Sequence, residues 1–192
     1  MKKLLITGFD SFDNASVNPS WEAVKLLPET IGDYEIHKLQ LPTVYGKAPR
    51  LLLEKAALLQ PDVIISVGQA GGRDAVTPER IAVNIRAARI ADNEGTLLDG
   101  DRIAPDGPAA YFSTLPVEAI RDAIRAAEIP SAVSNTAGTF VCNDVLYSLL
   151  HHYAGSGVRC GFIHVPYLPE QGQPNLPLTD TVKALTAAIC VL

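Results

Sequence analysis

Apolar and polar residues along this chain follow two recurring patterns. Short apolar runs bounded by glycine, proline or charged residues predict buried strands at 3–7, 34–41, 62–67 and 159–165, and a further strand within 80–90. Segments with helical spacing predict helices at 19–27, 48–59, 116–129, 145–150 and 179–192. Strands and helices therefore alternate along the chain, which is typical of an α/β protein.

The alternation predicts a three-layer α/β/α sandwich built on a mostly parallel, twisted sheet. The run at 62–67 is apolar on both faces, as expected of a central parallel strand. We find no repeat or linker, so residues 1–192 are interpreted as a single domain. Ligands of such sheets bind beyond the carboxyl ends of the strands, and this is where we look for a site.

Helix starts and loops are marked by particular residues. Asn18 followed by Pro19 is a strong helix N-terminus, and Thr179 or Asp180 is the expected cap of the last helix. The segment 91–108 is rich in Asp, Gly and Pro and predicts a long loop. Loops of this length in a compact domain are often functional.

Composition excludes several classes of function. The chain is 47% hydrophobic and 19% charged, with a net charge of −5 and no basic stripe, so nucleic acid is not an expected partner. No stretch has the length of a membrane span or of a signal-peptide core. Three widely spaced cysteines argue against a disulfide framework and fit a reducing cytoplasm.

One cysteine stands where a helix begins. A β-branched run at 131–133 predicts a short strand, and the helical pattern begins at Val145, so Cys142 lies in the turn between them or in the first helical turn. Unpaired N–H groups and the helix dipole favour a thiolate there, and the thiolate is the nucleophile. Position alone leaves open that Cys142 is only a small packing residue.

Two further residues could assist a thiol nucleophile. His164 lies at the end of the last predicted strand and could exchange a proton with Cys142, although a core histidine is the commoner role on an apolar strand. Glu79 lies in a loop at the same end of the sheet and could orient the imidazole. The alternative is an ordinary surface glutamate.

An acyl-transfer reaction also needs donors for the oxyanion. The Cys142 backbone N–H is one candidate, and Arg73, Arg86 and Arg89 are possible side-chain donors that the spacing does not distinguish. The glycine-rich loop 68–73 is not a phosphate-binding motif, because no Gly-Lys-Ser/Thr follows it. Metal-ligand spacings are also lacking in the sequence, so we expect neither a metal nor another cofactor.

Four stretches resemble the signatures of one family, the pyroglutamyl peptidases. They are 7–12 with 18–23, 68–73 through 77–84, 134–143, and 162–169 with Gln171. The glutamate-containing and cysteine-containing stretches are long and specific, and the four occur in the family's order over nearly the whole chain. One departure is Ser11, which stands where the family usually has proline.

The resemblance implies roles for individual residues. It makes Cys142 the nucleophile, His164 the general base and acid, and Glu79 the residue that orients His164. It makes Arg89 the side chain that helps the Cys142 N–H to stabilise the oxyanion. The residues implied for the pocket of the pyroglutamyl ring are Phe9, Phe12, Thr43, Gln69, Ile90, Phe140 and Val141.

The implied activity is removal of an N-terminal pyroglutamyl residue from peptides through a thioester, in the cytoplasm and without a cofactor. Family members often form tetramers, so a homo-oligomer is the implied assembly. Two other functions fit the same residues. One is a glutaminase-like amidase with the same cysteine, histidine and glutamate, and the other is a non-catalytic protein that binds a small molecule.

Overall fold

A computed structural model describes residues 1–13 and 15–192. Its strands are β1 (Lys2–Phe9), β2 (Thr30–Ile31), β3 (Tyr34–Leu41), β4 (Val63–Gln69), β5 (Thr77–Pro78), β6 (Ile81–Val83), β7 (Arg86–Ala87), β8 (Asp99–Asp101), β9 (Ala110–Phe112) and β10 (Arg159–Val165). Its helices are α1 (Pro19–Leu26), α2 (Lys47–Leu59), α3 (Val117–Ala126), α4 (Val141–His152) and α5 (Leu178–Ile189).

The main sheet has six strands in the order β2-β3-β1-β4-β10-β5. The four central strands run parallel, and the short edge strands β2 and β5 run antiparallel to their neighbours. The predicted α/β class and mostly parallel sheet are confirmed. In the two central strands, Gly68 of β4 is paired with His164 of β10, close to the carboxyl ends of both.

Two apolar layers cover the sheet, one on each face. On one face α1, α3 and α5 pack against side chains such as Ile65 and Ile163. On the other face α2 and α4 pack against side chains such as Ile64 and Phe162. Successive side chains of a strand point to opposite faces. His164, two residues after Phe162, therefore points to the same face as Phe162 and faces the α2–α4 layer. Cys142, in α4, belongs to that same layer.

Several local expectations differ from the structure. Residues 131–133 form only an isolated bridge, from Ser131 to Val76, because the chain there runs beside a loop and not beside a long strand. The last helix starts at Leu178 with Pro177 as its cap, so neither Thr179 nor Asp180 caps it. Asn18 does cap α1, since its side chain accepts a hydrogen bond from the Ser20 N–H.

The segment 91–108 is mostly loop, and β8 within it pairs with β7. None of the helices in the described ranges combines the length and the apolar character needed to cross a bilayer.

Candidate active site

Cys142 is the second residue of α4, in the first turn of the helix. The position places its backbone N–H among those that have no partner within the helix. The thiol lies against the end of β4, and a Cβ added to Gly68 would be 2.9 Å from Cys142 Sγ. Gly68 therefore provides the space that the thiol occupies.

The two residues after Cys142 fasten the start of α4 to other segments. The buried Asn143 amide bonds the Val83 N–H and C=O and the Ile85 C=O. The fully buried Asp144 accepts two hydrogen bonds from Arg86, at 2.9 and 2.8 Å, and one from the Gly46 N–H at 2.7 Å. Side-chain bonds on both sides of the helix start thus fix where the Cys142 thiol lies.

His164 is paired with Glu79. The His164 Nδ1 lies 2.7 Å from Glu79 Oε1, and both side chains are almost completely buried. A carboxylate can only accept hydrogen bonds, so Nδ1 carries the proton and Nε2 is left free as a base. Glu79 is held in place through its backbone, since its N–H donates to the Phe162 carbonyl at 2.9 Å.

Opposing effects set the charges of this pair. Burial raises the pKa of Glu79, but the hydrogen bond and charge of His164, together with Arg73, hold that pKa below its ordinary value. Burial, helped by the charge of Arg73, lowers the pKa of His164 more than its Glu79 partner raises it. At neutral pH the pair therefore consists of a carboxylate and a neutral imidazole.

Burial also raises the pKa of Cys142 to about 12, and the negative charge of Glu79 acts in the same direction. Arg73 and the backbone N–H of Cys142 lower it, but by less. The sequence-based expectation that the helix start favours a thiolate is therefore wrong for the free protein. The thiol is protonated, and a base must take its proton before it can attack.

Cys142 and His164 line one cavity of about 260 Å³. Among the residues expected to bind substrate, five others line it as well: Phe9, Phe12, Thr43, Gln69 and Phe140. The Phe12 and Phe140 rings have their centroids 6.0 Å apart. A thiol, a neutral imidazole and an aromatic wall thus meet in a space of small-molecule size.

Three expected residues lie elsewhere. Arg89 and Ile90 line a neighbouring, more open cavity of about 590 Å³, which shares Phe140 with the first. Val141 is fully buried among core side chains and does not line the cavity that holds Cys142. Its side chain packs inward because the first turn of α4 must bury one face against the sheet, so only its backbone is available to a ligand.

The remaining arginine candidates have acidic partners. Arg86 is bonded to Asp144, and Arg73 Nη1 lies 2.6 Å from Glu79 Oε1. Arg89 makes no ion pair within the described residues. Of the three arginines that the sequence left open as oxyanion donors, Arg89 is the one whose guanidinium is not already paired with an acid.

Sequence reasoning missed the polar residues that shape the aromatic wall. Asp10 Oδ1 accepts hydrogen bonds from the Thr43 N–H and hydroxyl, at 2.7 and 2.8 Å, and from Asn93 Nδ2 at 3.1 Å. Asn93 also donates to the Ser11 carbonyl, next to Phe12. These bonds join three loops, and the resemblance points to two of the residues, Asp10 within its first stretch and Thr43 as a pocket residue.

Gln69 is held by a neighbouring amide. Gln171 Nε2 donates to Gln69 Oε1 at 3.0 Å, so the Gln69 NH₂ group is left as a donor toward the cavity.

Across residues 1–13 and 15–192, no cluster of three or more His, Cys, Asp or Glu side chains is arranged to hold a metal ion.

Comparison with known proteins gives one consistent result. The sequence model of a family described as pyroglutamyl peptidase matches residues 2–192. A pyrrolidone-carboxylate peptidase of Levilactobacillus brevis is 50% identical, over 97% of this chain and 95% of its own length.

Solved structures agree with the sequence comparison. The crystal structure of pyroglutamyl peptidase I from Bacillus amyloliquefaciens matches with a TM-score of 0.96 and 48% identity, over 99% of this chain and 96% of that one. The pyrrolidone carboxyl peptidase of Thermococcus litoralis matches with a TM-score of 0.95 and 37% identity, over 100% and 93% of the two chains.

Proposed function

Because the chain belongs to the pyroglutamyl peptidase family, we propose that it removes N-terminal pyroglutamyl residues from peptides, with Cys142 as nucleophile. One observation carries this proposal. Cys142 and His164 share a small aromatic-walled cavity, and His164 is bonded to the buried Glu79 at 2.7 Å. A neutral general base is thereby held in the same space as a thiol.

The cavity suits a pyroglutamyl ring. The ring is a flat, uncharged lactam, and Phe12 and Phe140 provide apolar faces for it. The free NH₂ group of Gln69 is a donor for the lactam carbonyl. An ordinary N-terminus would bring an ammonium group into a cavity whose aromatic wall offers it no acidic partner, which is costly. This selects blocked N-termini.

The reaction follows from the protonation states. Nε2 of His164 takes the proton of the Cys142 thiol as the sulfur attacks the pyroglutamyl carbonyl carbon. The tetrahedral intermediate collapses as His164 protonates the leaving amine, and the C–N bond breaks to give a thioester. Water, deprotonated by His164, then attacks the thioester, which releases pyroglutamate and restores the thiol.

The oxyanion of the intermediate needs donors close to the sulfur. The Cys142 N–H is one, because it lies in the first turn of α4 and lacks an intrahelical partner. Arg89 is the proposed side-chain donor. Its support is the family resemblance and the lack of an ion pair to Arg89 within the described residues. It borders the adjoining cavity, which meets the Cys142 cavity at Phe140.

The test is release of a fluorescent amine from a pyroglutamyl amide under reducing conditions, with glutaminyl and prolyl amides as controls. We expect turnover of the pyroglutamyl amide alone, and none by Cys142→Ala. Cys190→Ala is the matched control, since Cys190 is exposed and far along the chain from the site. Turnover of glutamine with release of ammonia would instead indicate a glutaminase-like amidase.

The proposal also covers the domain organisation, the cellular location and the oligomeric state of the protein. The residues that line the Cys142 cavity are spread along the chain from Phe9 to His164, which supports one catalytic domain over 1–192. Three free cysteines fit a reducing cytoplasm. A homo-oligomer, and a tetramer in particular, rests on the family resemblance, and light scattering on the purified protein tests it.

A further inference from the structure

We propose that Arg73 is a positioning residue for the Glu79–His164 pair. It holds the Glu79 carboxylate in place against His164 and balances the negative charge of the pair. The inference rests on the proposed function and adds to it. Arg73 follows the glycine-rich loop after β4, and the sequence suggested it only as an oxyanion donor.

The contacts of the guanidinium carry this inference. Arg73 Nη1 donates to Glu79 Oε1 and to Thr77 Oγ1, each at 2.6 Å, and Nη2 donates to the Thr136 carbonyl at 3.0 Å. One planar group thus joins the loop after β4, the segment around Glu79 and the segment that leads to Cys142. The ammonium group of a lysine cannot reproduce this fork, in which two nitrogens of one planar guanidinium donate to three different oxygens.

The same carboxylate oxygen accepts hydrogen bonds from both of its partners. Glu79 Oε1 faces His164 Nδ1 and Arg73 Nη1, whereas Glu79 Oε2 is buried with no hydrogen-bond partner in the described part of the chain. The hydroxyl of Ser134, beside Glu79, donates to the Thr136 carbonyl. Arg73 and His164 therefore stabilise a carboxylate that is completely buried.

The charge of Arg73 affects the pKa of His164. The charged or titratable groups that face His164 are Glu79, Arg73 and Cys142. Glu79 raises the pKa of His164, and Arg73 lowers it. Without Arg73, burial alone opposes the effect of Glu79 on the imidazole, so His164 holds a proton up to a higher pH. A protonated His164 cannot accept the proton of Cys142.

The experiment compares the wild type with Arg73→Gln and with the matched control Arg121→Gln. Arg121 is on the surface of α3 and pairs with Asp122, so its loss changes the net charge equally without touching the site. Two readouts are taken, the pH profile of kcat/KM on a pyroglutamyl amide and the NMR titration of the His164 imidazole. The NMR signal is assigned by its loss in His164→Gln.

For Arg73→Gln we expect the pKa of His164 and the acidic limb of kcat/KM to move to higher pH, with a fall in kcat/KM of up to roughly 100-fold. Arg121→Gln should match the wild type in both. An unchanged His164 titration in a folded Arg73→Gln protein would overturn the proposal. The titration needs no substrate, so it is decisive even if the wild type fails to cleave the pyroglutamyl amide.

Arg73→Lys serves if the glutamine variant does not fold. It keeps the charge but loses the fork, so we expect a fall in kcat with an acidic limb close to that of the wild type. Wild-type kcat and a wild-type limb in Arg73→Lys would show that the fork is not required, and would overturn the positioning role.

Discussion

Gly68 and Cys142 are in contact across the boundary between sheet and helix. A Cβ at position 68 would lie 2.9 Å from Cys142 Sγ, and 2.7 Å from the ring of Phe162. Gly68 is also the strand partner of His164. The absence of one side chain thus leaves room for the nucleophile beside its proposed base.

Gly68→Ala should therefore displace the thiol. We expect kcat/KM to fall by roughly 100-fold, since small misplacements of reacting groups have large effects on rate. Overpacking should also reduce the free energy of unfolding by about 1–3 kcal/mol. Steady-state kinetics and urea denaturation measure the two effects.

A second substitution separates the two clashes at position 68. In the double variant Gly68→Ala with Phe162→Leu, a smaller side chain replaces the ring that the new Cβ meets, so the free energy of unfolding should partly recover relative to Gly68→Ala alone. Activity should remain low, because Cys142 Sγ is still displaced. Recovery of full activity in the double variant would contradict the proposed contact between Gly68 and the thiol.

Glu79→Gln should impair catalysis more than binding. The amide keeps the shape of the carboxylate but not its charge, and it can offer an NH₂ group to His164 Nδ1, which selects the wrong tautomer. We expect kcat to fall by roughly 100- to 10,000-fold with a small change in KM.

The pH dependence of this variant provides the check. Loss of the negative charge leaves Arg73 and burial to lower the pKa of His164, so the acidic limb should move to lower pH. A move to higher pH would show that Glu79 does not act on His164 in this way.

Alkylation of Cys142 in the free protein should report a protonated thiol. Burial raises its pKa to about 12, so the rate of reaction with iodoacetamide should still be increasing at pH 10. Free cysteine, with a pKa of about 8.5, levels off below that pH. Peptide mapping must separate Cys142 from the exposed Cys190.

A plateau in the alkylation rate of Cys142 near neutral pH would contradict this prediction. It would mean that a thiolate is already present without substrate. If alkylated Cys142 left activity intact, its assignment as nucleophile would be wrong.

The free energy of unfolding should decrease at acidic pH because the buried His164 resists protonation. Burial lowers the pKa of folded His164 below the ordinary value of about 6.5, so the unfolded chain binds its proton more readily than the folded protein. Stability from this group is complete above the unfolded pKa and decreases as pH falls below it. His164→Gln should flatten the pH dependence of the unfolding free energy between pH 7 and 5. An unchanged slope would count against a buried neutral imidazole.

Asp144→Asn should destabilise the start of α4. It removes one charge of a buried pair and leaves Arg86 facing a neutral amide, which we expect to reduce the free energy of unfolding by about 3 kcal/mol. Activity should fall as well, since Cys142 is two residues away. Asp122→Asn breaks an ion pair on the surface and is the matched control, with little change expected in urea denaturation.

The sequence by itself determined the five helices and the long strands, with ends that differ from the structure by up to four residues, but not the short strands β2, β5, β8 and β9. The strands predicted at 34–41 and 159–165 occur as Tyr34–Leu41 and Arg159–Val165, because buried parallel strands are continuous apolar runs that are visible locally. The Asn18 cap is equally local, since the side chain and the N–H it bonds are two residues apart. The family motifs also drew attention to Cys142, Glu79 and His164.

The tertiary structure decided everything that depends on partners distant in the chain. Arg73 and Arg86 were candidates for the oxyanion until Glu79 and Asp144 were seen to pair with them. The protonation state of Cys142 was also set by the fold. A helix start can be read from the sequence and suggests a thiolate, whereas burial depends on chain segments that only folding brings together, and in this site burial has the larger effect.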